Sequence, residues 1–198
     1  YGEVQQEAQD LAASRLRRLL PTSLDAVYFV NSGAEAIDGA LKLARRVTGR
    51  KKFIAMEGGY HGNTFGALSI SSNQDRREPF EPLLDGVQFV PFNHEDALVA
   101  IDGTQAAVIA ETVQGDAGIR IPDIDWIKRL EKRCNETGTL LILDEIQCGI
   151  GRTGKPFAFE HFDVTPDILC LGKALGGGMP LGAFVSSASS MRTLAHEP

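Results

Sequence analysis

The chain is poor in the residues that staple or metallate small proteins. It holds three cysteines, four histidines, one tryptophan and three methionines in 198 residues. Cys134, Cys148 and Cys170 have neither disulfide nor metal-site spacing, so a reducing cytoplasm is the simplest home for them. His61, His94, His161 and His196 are scattered, and no metal is expected. No apolar run approaches the roughly 20 residues that cross a bilayer. No basic cluster is present and the net charge is −6, so nucleic acid and anionic membrane are not expected partners. No secretory leader is visible; the opening "YGEVQQEAQD" reads as the middle of a protein. Repeats and low-complexity tracts are missing too.

What remains is ordinary for a globular domain, 43% hydrophobic and 23% charged. Six short apolar runs stand out: 26–30, 51–56, 86–91, 106–111, 139–145 and 167–172. Such runs read as strands buried on both faces. Helical patterns lie between them. In 33–48, Ile37, Ala40, Leu41, Ala44 and Val47 share a face; in 124–137, Ile127, Leu130 and Cys134 do, with Gly138 as the stop. This alternation predicts an α/β fold with a mostly parallel central sheet and helices on both faces. The polar stretch 71–82 reads as a surface loop.

In such sheets ligands bind beyond the carboxyl ends of the strands. The segments that follow each strand are therefore the candidates. After the first comes "NSGAEAIDGALKLARR", with Ser32 and Glu35 in a capping-box pattern. It reads as a plain helix cap or as an anion site built from helix-start N–H groups. Neither a Walker loop nor G-x-G-x-x-G is found there. After the second strand, "EGGYHGNT" offers Tyr60 and His61, as a tight turn or as a platform for a flat ring. After the fourth, Glu111 and Asp116 bracket a turn, as solvated carboxylates often do. After the fifth, Asp144 ends an apolar run, where a carboxylate needs a cationic or hydrogen-bonding partner. Gln147 follows. After the sixth comes Lys173, ahead of Gly176, Gly177 and Gly178. A lysine here is either a snorkelling surface residue or a desolvated nucleophile toward aldehydes.

Taken together, "FVNSGAEAIDGALKLARR", "GGYHGNT", "ETVQGDAGI" and "LILDEIQCGIGRTGKPFAFEHFDVTPDILCLGKALGGGMPLGA" resemble the class III (omega-type) aminotransferases, in family order over residues 27–186. These are fold type I enzymes that use pyridoxal 5′-phosphate. The resemblance implies that Lys173 condenses with the cofactor aldehyde and later moves the substrate proton. It implies that Asp144 pairs with the ring nitrogen and Gln147 lies near the ring hydroxyl. Ser32, Gly33 and Ala34 are implied to bind the phosphate, Tyr60 to stack on the ring with His61 beside it, and Glu111 to lie behind the cofactor.

The implied reaction is a ping-pong transfer from an omega-amino or basic amino acid donor to a 2-oxo acid, with 2-oxoglutarate the usual acceptor. A glutamate-semialdehyde-type aminomutase is the alternative. A cytoplasmic homodimer with a shared active site is implied as well. Three positions depart from the commoner pattern: Asn63 in place of an arginine that helps hold a substrate carboxylate, Asp116 in place of glutamate, and Thr112 in place of proline, the last read as neutral. Residues 1–198 are expected to be the central part of the cofactor-binding large domain. An amino-terminal segment and a carboxyl-terminal small domain are expected beyond them, with a phosphate-binding threonine past Pro198.

Overall fold

The computed structural model describes residue 4 and residues 6–195; His196 and Pro198 lie outside the described residues. The elements run α1 (Glu7–Arg17), β1 (Ala26–Val30), α2 (Gly33–Thr48), β2 (Lys52–Met56), α3 (Phe65–Ser69), α4 (Gln74–Arg77), β3 (Val87–Val90), α5 (Glu95–Val99), β4 (Gln105–Glu111), α6 (Ile124–Thr137), β5 (Leu140–Asp144), β6 (Ile168–Leu171), β7 (Gly182–Ser186) and α7 (Ala188–Ala195). Seven strands form one sheet in the order β1-β7-β6-β5-β4-β2-β3. Every pairing is parallel except those of β7, which runs antiparallel to both its neighbours. β7 is additional to the six apolar runs: Met179, Pro180 and Leu181 separate its five residues, "GAFVS", from Gly178.

Period-two alternation divides the core into two layers. Phe53, Ala55, Ala107, Ile109, Ile142, Ile168, Cys170 and Phe184 pack under α2, while Ile54, Met56, Val108, Leu141, Leu143, Leu169 and Val185 pack under α6 and its neighbours. The helices therefore cover both faces, as the alternation of runs predicts. β4 through β7 are buried along almost their whole length. β1 and β3 are not: they are the sheet's edges and only half-buried, with Tyr28 53% exposed. An edge strand has a neighbour on one side only, so the expectation of two buried faces fails there.

The helix α2 buries Ala36, Ile37, Ala40, Leu41, Leu43 and Ala44. Val47, expected on that face, is 36% exposed because it falls in the last turn, where solvent reaches it. Gly49 closes α2 and Gly138 closes α6 in the left-handed conformation. Segment 71–82 is largely exposed, though Ser71 is buried, and part of it is helical: α4 is capped by the Asn73 side chain, which accepts the Arg76 N–H at 3.1 Å. All three cysteines are buried and unpaired. No helix among the described residues is long and apolar enough to cross a membrane.

This topology sets up the site. The chain steps outward from β2 to β3, returns past β2 to β4, then proceeds the other way through β5 and β6. The reversal puts a crevice beyond the carboxyl ends of β2 and β4. Register aligns Glu111 with Asp144, and Asp144 with Cys170, across three adjacent strand ends. Parity places those side chains on the α2 face, with Ile109 and Ile142.

Candidate active site

One cavity of about 450 Å³ opens at these strand ends, lined by Gly33, Ala34, Tyr60, His61, Gly62, Asn63, Thr64, Glu111, Asp144, Ile146, Gln147 and Lys173. Five strand exits contribute to it: β1, β2, β4, β5 and β6. Residues far apart in sequence meet because parallel strands all end on one side.

The α2 start is held from two directions. Ser32 caps the helix, its Oγ accepting the Glu35 N–H at 3.2 Å, while the Glu35 carboxylate accepts the Asn31 N–H at 2.6 Å. The capping-box pattern is thus realised with its return bond shifted one residue upstream. Ser32 does not line the cavity; Gly33 and Ala34 do. As the first two helical residues, their N–H groups have no intrahelical partner. The backbone approaches closely here: a Cβ on Gly182 would collide with the Ser32 carbonyl oxygen. The Cys170 thiol, 3.7 Å from the Ala36 carbonyl oxygen, ties the first turn of α2 to the end of β6.

Asp144 is 3% exposed and doubly anchored. Its Oδ2 lies 2.7 Å from His61 Nδ1, and its Oδ1 accepts the Ile146 N–H at 2.9 Å. His61 is thus the partner that a carboxylate at the end of an apolar run requires. An ionised carboxylate only accepts, so Nδ1 carries the shared proton. His61 Nε2 is buried without a hydrogen-bond partner. Glu111, 5% exposed, accepts the N–H groups of Tyr60 at 2.8 Å and Gly115 at 3.1 Å. Burial raises its pKa, and the negative charge of Asp144 adds to that rise. Glu111 therefore fixes the turn that carries Tyr60. One face of the Tyr60 ring is covered by the Arg76 guanidinium, 4.9 Å from the ring centroid, which leaves the other for a flat ligand.

Two expectations, for Lys173 and Thr112, are corrected, and two other positions are placed. Lys173 lines the cavity but is exposed, because the cavity is open on that side and Lys173 stands past Gly172 rather than on β6. Its φ of 43° is a conformation that side-chain-bearing residues adopt at a cost. Gly176, Gly177 and Gly178 make the turn into β7 but do not line the cavity. Asp116 is exposed and outside it, as a solvated turn carboxylate should be, whereas Glu111 across the same turn is buried. Thr112 is not neutral: it is fully buried and donates to Glu145 Oε1 at 3.0 Å. Asn63 and Gln147 do line the cavity, Gln147 as an exposed residue. Among the described residues no group of His, Cys, Asp and Glu is arranged to hold a metal ion.

Sequence reasoning passed over Glu145, although "LDEIQ" shows two acids in a row. Glu145 is 1% exposed, and burial pushes its pKa up to about 7, against hydrogen bonds from Ala158, Phe159 and Thr112 that pull it down. Linkage gives this a sign. The folded state holds this proton more tightly than the unfolded chain, so the stabilisation is complete below pH 4.5 and lost as pH rises through 7. The span corresponds to about 3 kcal/mol. Unfolding midpoints in urea should therefore fall between pH 5 and pH 8, and Glu145→Gln should flatten that fall. An equal slope in the variant would assign the effect elsewhere.

Against known proteins, the model of the aminotransferase class-III family matches residues 1–197. The acetylornithine aminotransferase of Methanopyrus kandleri is 52% identical over 187 residues, which is 94% of this chain and 47% of that protein. The LysW-aminoadipate semialdehyde/glutamate semialdehyde transaminase of Sulfolobus acidocaldarius is 47% identical over 173 residues, 87% of this chain and 45% of that one. The ornithine aminotransferase of Toxoplasma gondii, solved with PLP at partial occupancy in its active site, superposes with a TM-score of 0.90 at 33% identity. That superposition covers 97% of this chain and 47% of the solved one. The chain thus spans about half the length of the relatives it matches. With the strand-end cavity, the mostly parallel sheet and a family model that accounts for nearly every residue, the chain belongs to the class III aminotransferases.

Proposed function

We propose that the protein carrying this chain is a pyridoxal-phosphate-dependent aminotransferase. It moves an amino group from an omega-amino or basic amino acid to a 2-oxo acid, 2-oxoglutarate by preference, in two half-reactions. The observation that carries this reading is the convergence of a lysine amine, a buried carboxylate and a helix start on one cavity.

The residues present suit the cofactor. The volume lies within the roughly 300–1,000 Å³ usual for small-ligand sites. The Gly33 and Ala34 N–H groups at the α2 start suit a phosphate. Bound there, pyridoxal phosphate supplies an aldehyde carbon and a ring that accepts electrons. With the cofactor bound, Lys173 would present Nζ as the nucleophile and would carry a proton to and from the substrate carbon. Asp144, braced by His61 and the Ile146 N–H, would hold a proton on the ring nitrogen. Tyr60 would offer its uncovered face to the ring, and Gln147 would hydrogen-bond the ring hydroxyl.

The names of the relatives support transfer over the internal exchange of a glutamate-semialdehyde-type mutase. Residues 1–198 are, on this reading, the central part of a larger cofactor-binding domain, consistent with the half-length coverage. A homodimer with a shared site belongs to the same proposal. Its support is apolar surface at the rim: Phe65 and Phe80 are 68% and 54% exposed and, with Asn63, line a second hollow beside the cavity. The three buried, unpaired cysteines agree with a cytoplasmic home.

The test uses the whole protein. Purified with pyridoxal phosphate, it should absorb in the visible, shift on adding an amino donor, and recover on adding a 2-oxo acid. Borohydride should trap the cofactor on Lys173. A protein that binds no cofactor overturns the reading; turnover of a donor with no acceptor requirement favours the mutase.

A further inference from the structure

Glu145 lies beside Asp144 but points away from the cavity, into the protein. Its Oε1 accepts the Thr112 hydroxyl at 3.0 Å and the Phe159 N–H at 2.7 Å; its Oε2 accepts the Ala158 N–H at 2.8 Å. Its own N–H donates to the Cys170 carbonyl at 2.9 Å, and its carbonyl accepts the Gly149 N–H at 2.9 Å. One residue thus joins the exit of β4, the end of β6 and the 3₁₀ turn Ala158–His161. Between the two ends of this clamp runs loop 146–157, closed on itself by a bond from the Gly151 N–H to the Pro156 carbonyl at 3.0 Å.

That loop delivers Ile146 and Gln147 to the cavity. Ile146 is a wedge. A Cβ on Gly33 would lie 2.8 Å from its Cδ1 and Cγ2, and one on Gly172 would lie 3.1 Å from its Cγ2. It therefore packs at once against the first residue of α2 and against the residue before Lys173. A shift of Ile146 moves the phosphate-facing helix start and the lysine together. It also disturbs Asp144, whose Oδ1 accepts the Ile146 N–H.

The chemistry of the pocket around Glu145 is one-sided. The three groups that meet its carboxylate are all donors, so only a group that accepts on both oxygens satisfies them. A glutamine sets an NH₂ against an N–H on one side or the other, and an apolar residue orphans two main-chain donors. Burying an acid in this way works against folding at neutral pH, which suits a residue that serves position rather than stability.

We propose that Glu145 is the positioning residue of this site, its carboxylate acting through Thr112, Ala158 and Phe159 to fix the loop that sets Ile146 and Gln147 against the cavity. The role in amino transfer rests on the function proposed above; the role in ordering the loop does not.

The test compares Thr112→Val, Thr112→Ser and Glu145→Gln in the whole protein. Thr112→Val keeps the shape and two of the three bonds, so the variant should fold. Deuterium uptake across 146–157 should accelerate about tenfold in Thr112→Val and more in Glu145→Gln, with Thr112→Ser near wild type. Pyridoxal phosphate should dissociate with a Kd about tenfold higher in Thr112→Val, and kcat should fall about tenfold while KM for the donor changes less than about twofold. Uptake and Kd at wild-type values in both disruptive variants overturn the proposal, as does equal loss in Thr112→Ser. If the wild type binds no pyridoxal phosphate, the proposed function fails and uptake alone decides the role of Glu145.

Discussion

Lys173→Ala is expected to lower amino transfer by the whole protein at least about a thousandfold, because it deletes both the nucleophile and the proton carrier. Borohydride should then fix no cofactor to the chain. The fold should be nearly untouched, since Lys173 is exposed and follows the strand rather than packing within it. Its backbone sharpens the prediction. At a φ of 43° a side chain is strained, and only glycine adopts that conformation freely. Lys173→Gly should therefore be as inactive as the alanine variant yet equally or more stable than wild type, by up to about 1 kcal/mol. Thermal unfolding of both variants beside their activity gives the answer. A glycine variant that unfolds well below wild type would show that Lys173 supports the fold after all. Activity within tenfold of wild type in either variant would remove the lysine from the chemistry.

The second large effect is expected at Asp144. Asp144→Asn preserves shape and removes charge. The amide can still satisfy its surroundings: its oxygen accepts the Ile146 N–H and its NH₂ faces His61 Nδ1, provided the imidazole moves its proton to Nε2. The variant should thus fold, with a Tm within roughly 4 °C of wild type. It should lose amino transfer by about a hundred- to a thousandfold, the usual cost of removing one preorganised electrostatic group. Asp144→Ala should be worse in both respects, because it also strips His61 Nδ1 and the Ile146 N–H of their partner in a buried place. Measuring kcat and Tm for the pair separates charge from packing. Equal activity in the asparagine variant and the wild type would show that the charge itself does nothing.

Much of the site was legible in order along the chain. Residues at strand exits are predicted by the α/β pattern itself, and Asp144, Lys173, Glu111, Tyr60, His61, Gly33 and Ala34 all line one cavity. What could not be read was which side of a strand end faces the ligand and how deeply. Glu145 and Asp144 are adjacent acids, and only parity in the folded sheet sends one to the cavity and the other to Thr112, Ala158 and Phe159. Thr112 looked neutral because its partner lies 33 residues away. Glu111 and Asp116 both read as solvated carboxylates flanking one turn, yet the fold buries Glu111 and leaves only Asp116 exposed.

By itself the sequence determined the alternation of apolar runs with amphipathic helices, and hence a mostly parallel sheet with chemistry-bearing residues at the strand exits. Period and local capping are encoded within a few residues, so they survive without knowledge of the rest. The tertiary structure alone decided the strand order, the antiparallel β7 inserted beside β1, the exposure of Lys173 and the partnership of His61 with Asp144. Each of these depends on contacts between segments remote in the chain, and burial and hydrogen-bond partners exist only once those segments have met.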